Sequence, residues 1–235
     1  MKKFFLVSVF MSVSVFLSAQ VKPYVTSAGE MIFSFAKIDH NGSSGSNVMR
    51  WSPVFNSQGF VNFDMGKSFG FVAGLGIRNV GFIDDAYDPD NSGVKKKFRT
   101  YNFGIPVGIK LGKMNRFFIF GGYEIEFPFH YKEKTFVNGD KQDTKISDWF
   151  SSRVPSYYNT VYGGIQFPYG LTLKVKYYLT GFFNNDFTEI VNGQERHPYE
   201  NYNVNVIYFS LSFNLFKGHD FAVNEFKKEK TTVIY

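Results

Sequence analysis

Between Arg99 and Lys113 the chain alternates with a period of two. Tyr101, Phe103, Ile105, Val107, Ile109 and Leu111 share one face, and Thr100, Asn102, Gly104, Pro106, Gly108 and Lys110 share the other. Successive side chains of an extended strand point to opposite faces, so this stretch predicts a strand with one apolar side. The pattern recurs. Phe69, Phe71, Ala73, Leu75 and Ile77 oppose Gly70, Gly74, Gly76 and Arg78, while Leu171, Leu173, Val175, Tyr177 and Leu179 oppose Thr172, Lys174, Lys176 and Thr180. Near the end, Ile207, Phe209, Leu211, Phe213 and Leu215 oppose Tyr208, Ser210, Ser212 and Asn214. A single such face fits a soluble sheet. The same sidedness over segments of about ten residues or more fits strands that cross a bilayer with their apolar side outward, since soluble strands run nearer five or six.

The alternation places strands at about 29–38, 48–66, 68–83, 98–112, 116–132, 155–167, 170–183 and 202–217. Connections after the even strands are tight, around Gly66-Lys67, Lys113-Met114-Asn115 and Pro168-Tyr169; those after the odd strands are long, Asp39 to Asn47, Asp84 to Lys97, Glu133 to Val154 and Asn184 to Asn201. The expected fold class is therefore all-β, an eight-stranded antiparallel transmembrane β-barrel with short periplasmic turns and long extracellular loops. A soluble lipocalin-like binding barrel is the alternative, though it has no reason to alternate its loops so regularly. Pro106 and Pro128 fall inside expected strands. A closed sheet has no free edge to hide a missing donor, so a local break in the ladder is expected at each.

Met1 to Ala19 carries Lys2 and Lys3, an apolar run from Phe4 to Leu17 and then Ser18-Ala19, the pattern of a secretory signal peptide too short to span as a helix. The expected organisation is a signal peptide at 1–19, a barrel at 20–217 and a charged periplasmic extension at 218–235. Aromatic residues make up 20% of the chain, as expected where rings coat strands and mark membrane boundaries. Tyr101, Tyr131, Tyr157, Phe167, Tyr177 and Phe216 are the expected girdle residues, and Trp149 and Phe150 an anchor in the longest loop. The formal charge of +6 falls to +4 without Lys2 and Lys3, and the basic residues form no nucleic-acid motif, so no nucleic-acid partner is expected. The absence of cysteine excludes disulfides, thiolate metal sites and a lipid-anchoring cysteine.

The run from Tyr101 through Ile105-Pro106 to Lys110 resembles the Ile-Pro strand of the PorT-like outer-membrane β-barrel family of Bacteroidetes, and the resemblance extends more loosely from Ser27 to Lys217. It implies an outer-membrane location and an eight-stranded barrel with Pro106 as a family feature. It also brings in a link to protein secretion, carried by the founding member, and no functional residues.

On the assigned faces the lumen receives Arg50, Asp64, Arg78, Lys110, Glu124, Glu126, His130, Lys174 and Lys176, a mixed-sign cluster expected to pair internally because an unpaired buried charge is costly. Glu126 and His130, four residues apart on one expected face, raise the alternative of a membrane-embedded lipid-modifying hydrolase, but no serine elbow accompanies them. Asp88, Asp90, Ser92 and Gly93 imitate the start of an EF-hand loop, yet Arg99 stands where its closing glutamate belongs, so an Asx-rich turn is expected. The four histidines show no metal spacing. The functional expectation is a non-enzymatic barrel without catalytic, cofactor or metal residues, with a structural or interaction role in the cell envelope. Its expected partners are outer-membrane lipid and an envelope or secretion-system protein.

Overall fold

Eight strands close into one ring in the computed structural model, which describes residues 23–40, 42–45, 48–85, 87, 93–114 and 116–217. The expected leader, the centre of the acidic loop with Asp88, Asp90 and Ser92, and the extension from 218 lie outside the described residues, as do the side chains of 215–217, Phe216 included. The strands are β1 (Tyr24–His40), β2 (Ser43–Ser44), β3 (Arg50–Ser52), β4 (Ser57–Met65), β5 (Phe69–Asp84), β6 (Val94–Lys113), β7 (Phe117–Val137), β8 (Asp140–Trp149), β9 (Tyr158–Gln166), β10 (Leu171–Tyr178), β11 (Glu189–Val191), β12 (Gln194–Arg196) and β13 (Tyr202–Lys217). The ring runs β13-β10-β9-β7-β6-β5-β4-β1 and closes by antiparallel pairing of β1 with β13, with Met31 opposite Leu211. The expected all-β, eight-stranded antiparallel barrel is what forms.

Period-two alternation builds it inside out relative to a soluble protein. Phe71, Leu75, Ile105, Val107, Leu173 and Phe213 stand exposed on the outer surface, while Thr26, Glu30, Arg78, Asn102, Lys110 and Lys176 are buried inside. So continuous an exposed apolar surface needs a nonaqueous partner. The tight connections, Gly66 to Ser68, Met114 to Arg116 and Phe167 to Gly170, lie at one end of the ring. Gly66 takes φ of +81° there, which a glycine adopts without strain.

Three local features depart from expectation. The wall expected at 48–66 is two strands, β3 and β4, separated by an outpouching at Pro53–Asn56 where Phe55 has φ of +60°. Pro53 has no N–H to give a ladder, and Asn56 takes over the pairing. Its Nδ2 donates to Ser52 O at 2.8 Å, its Oδ1 accepts the Asn79 N–H at 2.7 Å, and its carbonyl accepts the Glu30 N–H at 2.9 Å. The span Glu133 to Val154, expected as a loop, is largely strand: β7 continues to Val137, turns through Asn138-Gly139 with φ of +52° and +94°, and returns as β8, which ends at Trp149. Asn-Gly with both φ positive is the two-residue hairpin turn that matches strand twist. The wall expected at 170–183 stops at Tyr178.

The two prolines behave differently. At Pro128 the β6–β7 register shifts: Asn102 faces Pro128 but Tyr101 faces His130, leaving Phe129 as an unpaired bulge. At Pro106 no register shift occurs. It stays opposite Glu124 on the β7 side, and on the β5 side the ladder lapses between the rungs Ala73–Val107 and Gly76–Gly104 before resuming in the same register. The expected local break at Pro106 is therefore a loss of rungs without a change of register.

Candidate functional site

The middle of the lumen is filled by three carboxylates and three cations. Arg78 from β5 reaches Glu124 at 3.2 Å, Glu30 at 3.4 Å and Glu126 at 3.6 Å. The last two contacts are ion pairs rather than hydrogen bonds, since Arg78 Nη1 and Nε lack a bonded acceptor. Lys174 pairs with Glu30 at 2.6 Å and donates to Gln58 at 3.1 Å, while Lys176 bridges Glu124 at 2.5 Å and Glu126. Asn102 and Tyr178 donate to Glu126 Oε2 at 2.7 and 2.6 Å, and Ser210 donates to Glu30. All six charged groups are buried and their formal charges cancel, which is the arrangement in which removing ions from water is tolerated. The backbone makes room for them: a β-carbon at Gly76 would stand 2.7 Å from the Arg78 guanidinium, and one at Gly104 would overlap the Glu124 carboxylate.

Toward the turn end, Lys110 meets Asp64 at 2.5 Å and Asn62 at 2.9 Å, with the Tyr24 hydroxyl donating to Asp64 at 2.9 Å. A hollow of about 750 Å³, its solvent-filled mouth included, opens here among Tyr24, Asn62, Lys110, Phe118, Tyr162 and Lys174. Toward the loop end the lumen turns apolar. Phe182 and Phe183, beyond the end of β10, fold inward, with Phe183 stacked on Tyr199 at 4.2 Å and edge-on to Phe98 at 5.1 Å, over a core that includes Ile32, Phe82 and Tyr202. Polar ties fasten this cap: Tyr202 donates to Asp84 at 2.6 Å, Lys96 pairs with Glu133 at 2.8 Å, and Arg153 meets Glu189 at 2.5 Å and the Tyr199 hydroxyl at 3.3 Å. Burial works against the Lys96 ammonium, but Glu133 and Tyr87 outweigh it and raise its pKa; Arg153 is raised by its bonds to Tyr199 and Glu189 against a similar burial cost.

Of the residues expected in the lumen, Arg78, Glu124, Glu126, Lys174 and Lys176 share the central network, and Asp64 with Lys110 forms a separate pair below it. Arg50 joins neither. Its guanidinium bonds Asn79 Oδ1 at 2.6 Å and Asn79 O at 3.2 Å in the wall beside the outpouching. His130 is a correction. The Phe129 bulge inverts the parity of β7, so His130 shares the outer face with Tyr101, while Tyr131, expected in a girdle, turns inward and is buried. His130 stacks between Trp149 at 4.3 Å and Tyr101 at 5.5 Å and contacts Ser147 Oγ at 3.1 Å, on the opposite side of the sheet from Glu126. Glu30 was missed by sequence reasoning, although Met31, Phe33 and Phe35 pointing outward would have placed it inside. Among the described residues no three His, Cys, Asp or Glu side chains converge as metal ligands.

No family model matches the chain, and no curated protein matches it. Among solved structures it is similar to the attachment invasion locus protein Ail of Yersinia pestis, at 11% identity and a TM-score of 0.36 over 81% of this chain and 97% of that one. It is also similar to Neisserial surface protein A, at 9% identity and a TM-score of 0.37 over 82% and 97%. The outer membrane protein OprG of Pseudomonas aeruginosa aligns at 8% identity and a TM-score of 0.34 over 82% and 93%.

Proposed function

We propose that this protein is an exported outer-membrane β-barrel that serves the cell envelope through its rims and outer surface rather than through its lumen. The observation that carries this reading is the pairing of an apolar exterior with a charge-balanced, hydrogen-bonded interior. The exterior is matched to lipid. The interior of an eight-stranded ring is just wide enough for side chains, and here they fill it. A soluble lipocalin-like carrier would need a polar outer face, which Leu75, Ile105, Val107 and Phe213 contradict by their exposure. The inversion at Phe129 separates Glu126 from His130 and favours a non-enzymatic role over a lipid hydrolase.

The PorT-like strand Tyr101 to Lys110 supports a finer reading, an interaction role accessory to protein secretion in Bacteroidetes. Cell fractionation with gel electrophoresis, comparing boiled with unboiled samples, tests the reading as a whole. A faster unboiled band in the outer-membrane fraction is expected. A soluble protein without that shift overturns it, and an envelope crosslinking experiment that recovers no reproducible protein partner overturns the finer reading.

A further inference from the structure

At the loop end β5, β6, β7 and β8 run on together as a sheet whose two faces carry charge very differently. The face over the lumen is paired: Lys96 with Glu133, and Arg153 with Glu189 and Asp148. The outer face is not. Its register sets Arg99 opposite Lys132, then Lys97 opposite Lys134 opposite Lys145, then Lys95 and Lys141 on either side of Phe136. Among the described residues none of these seven cations has a carboxylate within ion-pair distance, and Asp140 and Asp143 of β8 pair with none of them. Like charges directly opposed across strands destabilise a sheet. The Lys132 and Lys134 ammoniums have their pKa lowered, by partial burial first and then by Arg99, Lys145 and, for Lys134, Lys141 as well. A sheet that pairs the charges of one face and masses on the other cations with no carboxylate in ion-pair distance is arranged for an external polyanion.

The position of the cluster says which one. The rung below it is the aromatic set Tyr101, His130 and Trp149, and below that Phe103 and Phe127 begin the apolar exterior. Aromatic belts sit at the headgroup level of a bilayer. Same-face residues are about 7 Å apart along a strand and neighbouring strands about 5 Å apart, so the cations stand just above the belt in rows that allow one phosphate to meet two of them.

We propose that this outer face docks the phosphate groups of lipid headgroups in the leaflet around the loop end, an inference that rests on the outer-membrane reading. The test uses the full-length protein folded in zwitterionic detergent, with bisphosphorylated lipid A as probe and dephosphorylated lipid A, inorganic phosphate and heparin as comparators. The boiled-versus-unboiled shift is recorded on the same samples, so that a misfolded barrel is distinguished from a failed site. Lipid A is expected to bind in a salt-sensitive manner and better than its dephosphorylated form. The triple variant Lys132→Gln, Lys134→Gln, Lys145→Gln should bind at least about tenfold more weakly with its gel shift intact. The turn-end variant Lys67→Gln, Lys113→Gln should bind as wild type does. Equal binding by the triple variant, or indifference to the lipid phosphates, overturns the site while leaving the barrel reading untouched; heparin or inorganic phosphate displacing lipid A at equal concentration overturns the lipid as its occupant.

Discussion

At the scale of single residues, Arg78 is the centre of the lumen because, among the described residues, it alone contacts all three carboxylates of the central network. Replacing one partner of a buried ionic network leaves uncompensated charge, a larger loss than the net worth of the pairs. Arg78→Met is expected to lower stability by about 3–5 kcal/mol, read from the urea midpoint of the gel-shifted form in lipid vesicles. A second residue-scale expectation concerns alkaline pH. The pKa of Lys96 is raised by Glu133 against its own burial, and that of Tyr199 is raised chiefly by burial and then by Glu133. For both groups the folded pKa exceeds the unfolded one, so their contribution is complete below the unfolded values of 10.5 and 10.0 and is lost as pH rises through the folded ones. Protection of the amides of the segment 182–199, relative to their free exchange rates, should therefore fall above about pH 10 while the gel shift persists, and Lys96→Met should weaken that dependence. Protection unchanged to pH 11.5 would contradict this assignment.

At the scale of elements, the bulge at Phe129 decides what both faces of the extended sheet present. Below it Glu124 and Glu126 point inward; above it Tyr131 and Glu133 do, and His130, Lys132 and Lys134 point out. Deleting Phe129 joins Pro128, which faces Asn102, directly to His130, which faces Tyr101, so the rungs become continuous and Tyr131, Lys132, Glu133 and Lys134 keep their faces. Deleting Tyr131 instead, with the bulge kept, puts Lys132 and Lys134 on the lumen face and Glu133 outside, because a one-residue slip moves every side chain to the other face. The Phe129 deletion is expected to keep the yield of gel-shifted barrel, whereas the Tyr131 deletion should lower it severely. Equal yields from the two deletions would contradict this assignment of faces. Pro106 offers the contrast. Its side chain is buried and its register intact, so a missing N–H does not by itself produce a bulge.

At the scale of the whole molecule, the lumen is closed twice, by the ionic network at mid-height and by the aromatic cap above it. Planar bilayers should register no single-channel conductance for the wild type. The double variant Phe183→Ala, Tyr199→Ala removes the stacked pair of the cap but leaves the network in place, and it should remain silent too. Stable unitary currents from the double variant would mean that the network does not seal the ring. With both closures in place, interaction is left to the surfaces, chiefly the long extension of β6, β7 and β8 at the loop end and the hollow at the turn end.

Alternation along the chain by itself determined the fold class, the number of walls, the sidedness of most of them and five members of the central network. Side-chain direction in a strand is a local property with a period of two, so it is legible residue by residue. The Asn138-Gly139 turn is equally legible, as a hairpin signal inside the span expected as a loop. The tertiary structure decided the rest, because the rest depends on which residue stands opposite which. Only the β6–β7 register reveals that Phe129 is unpaired and His130 reversed, and only closure of β1 on β13 brings Glu30 against Lys174 from the far end of the chain. Arg50 was displaced by a wall whose break at Pro53 is repaired by Asn56, and the inward fold of Phe182 and Phe183 follows from β10 ending at Tyr178. Period fixes a face, but register and closure choose the neighbours across it, and charge pairing is an affair of neighbours.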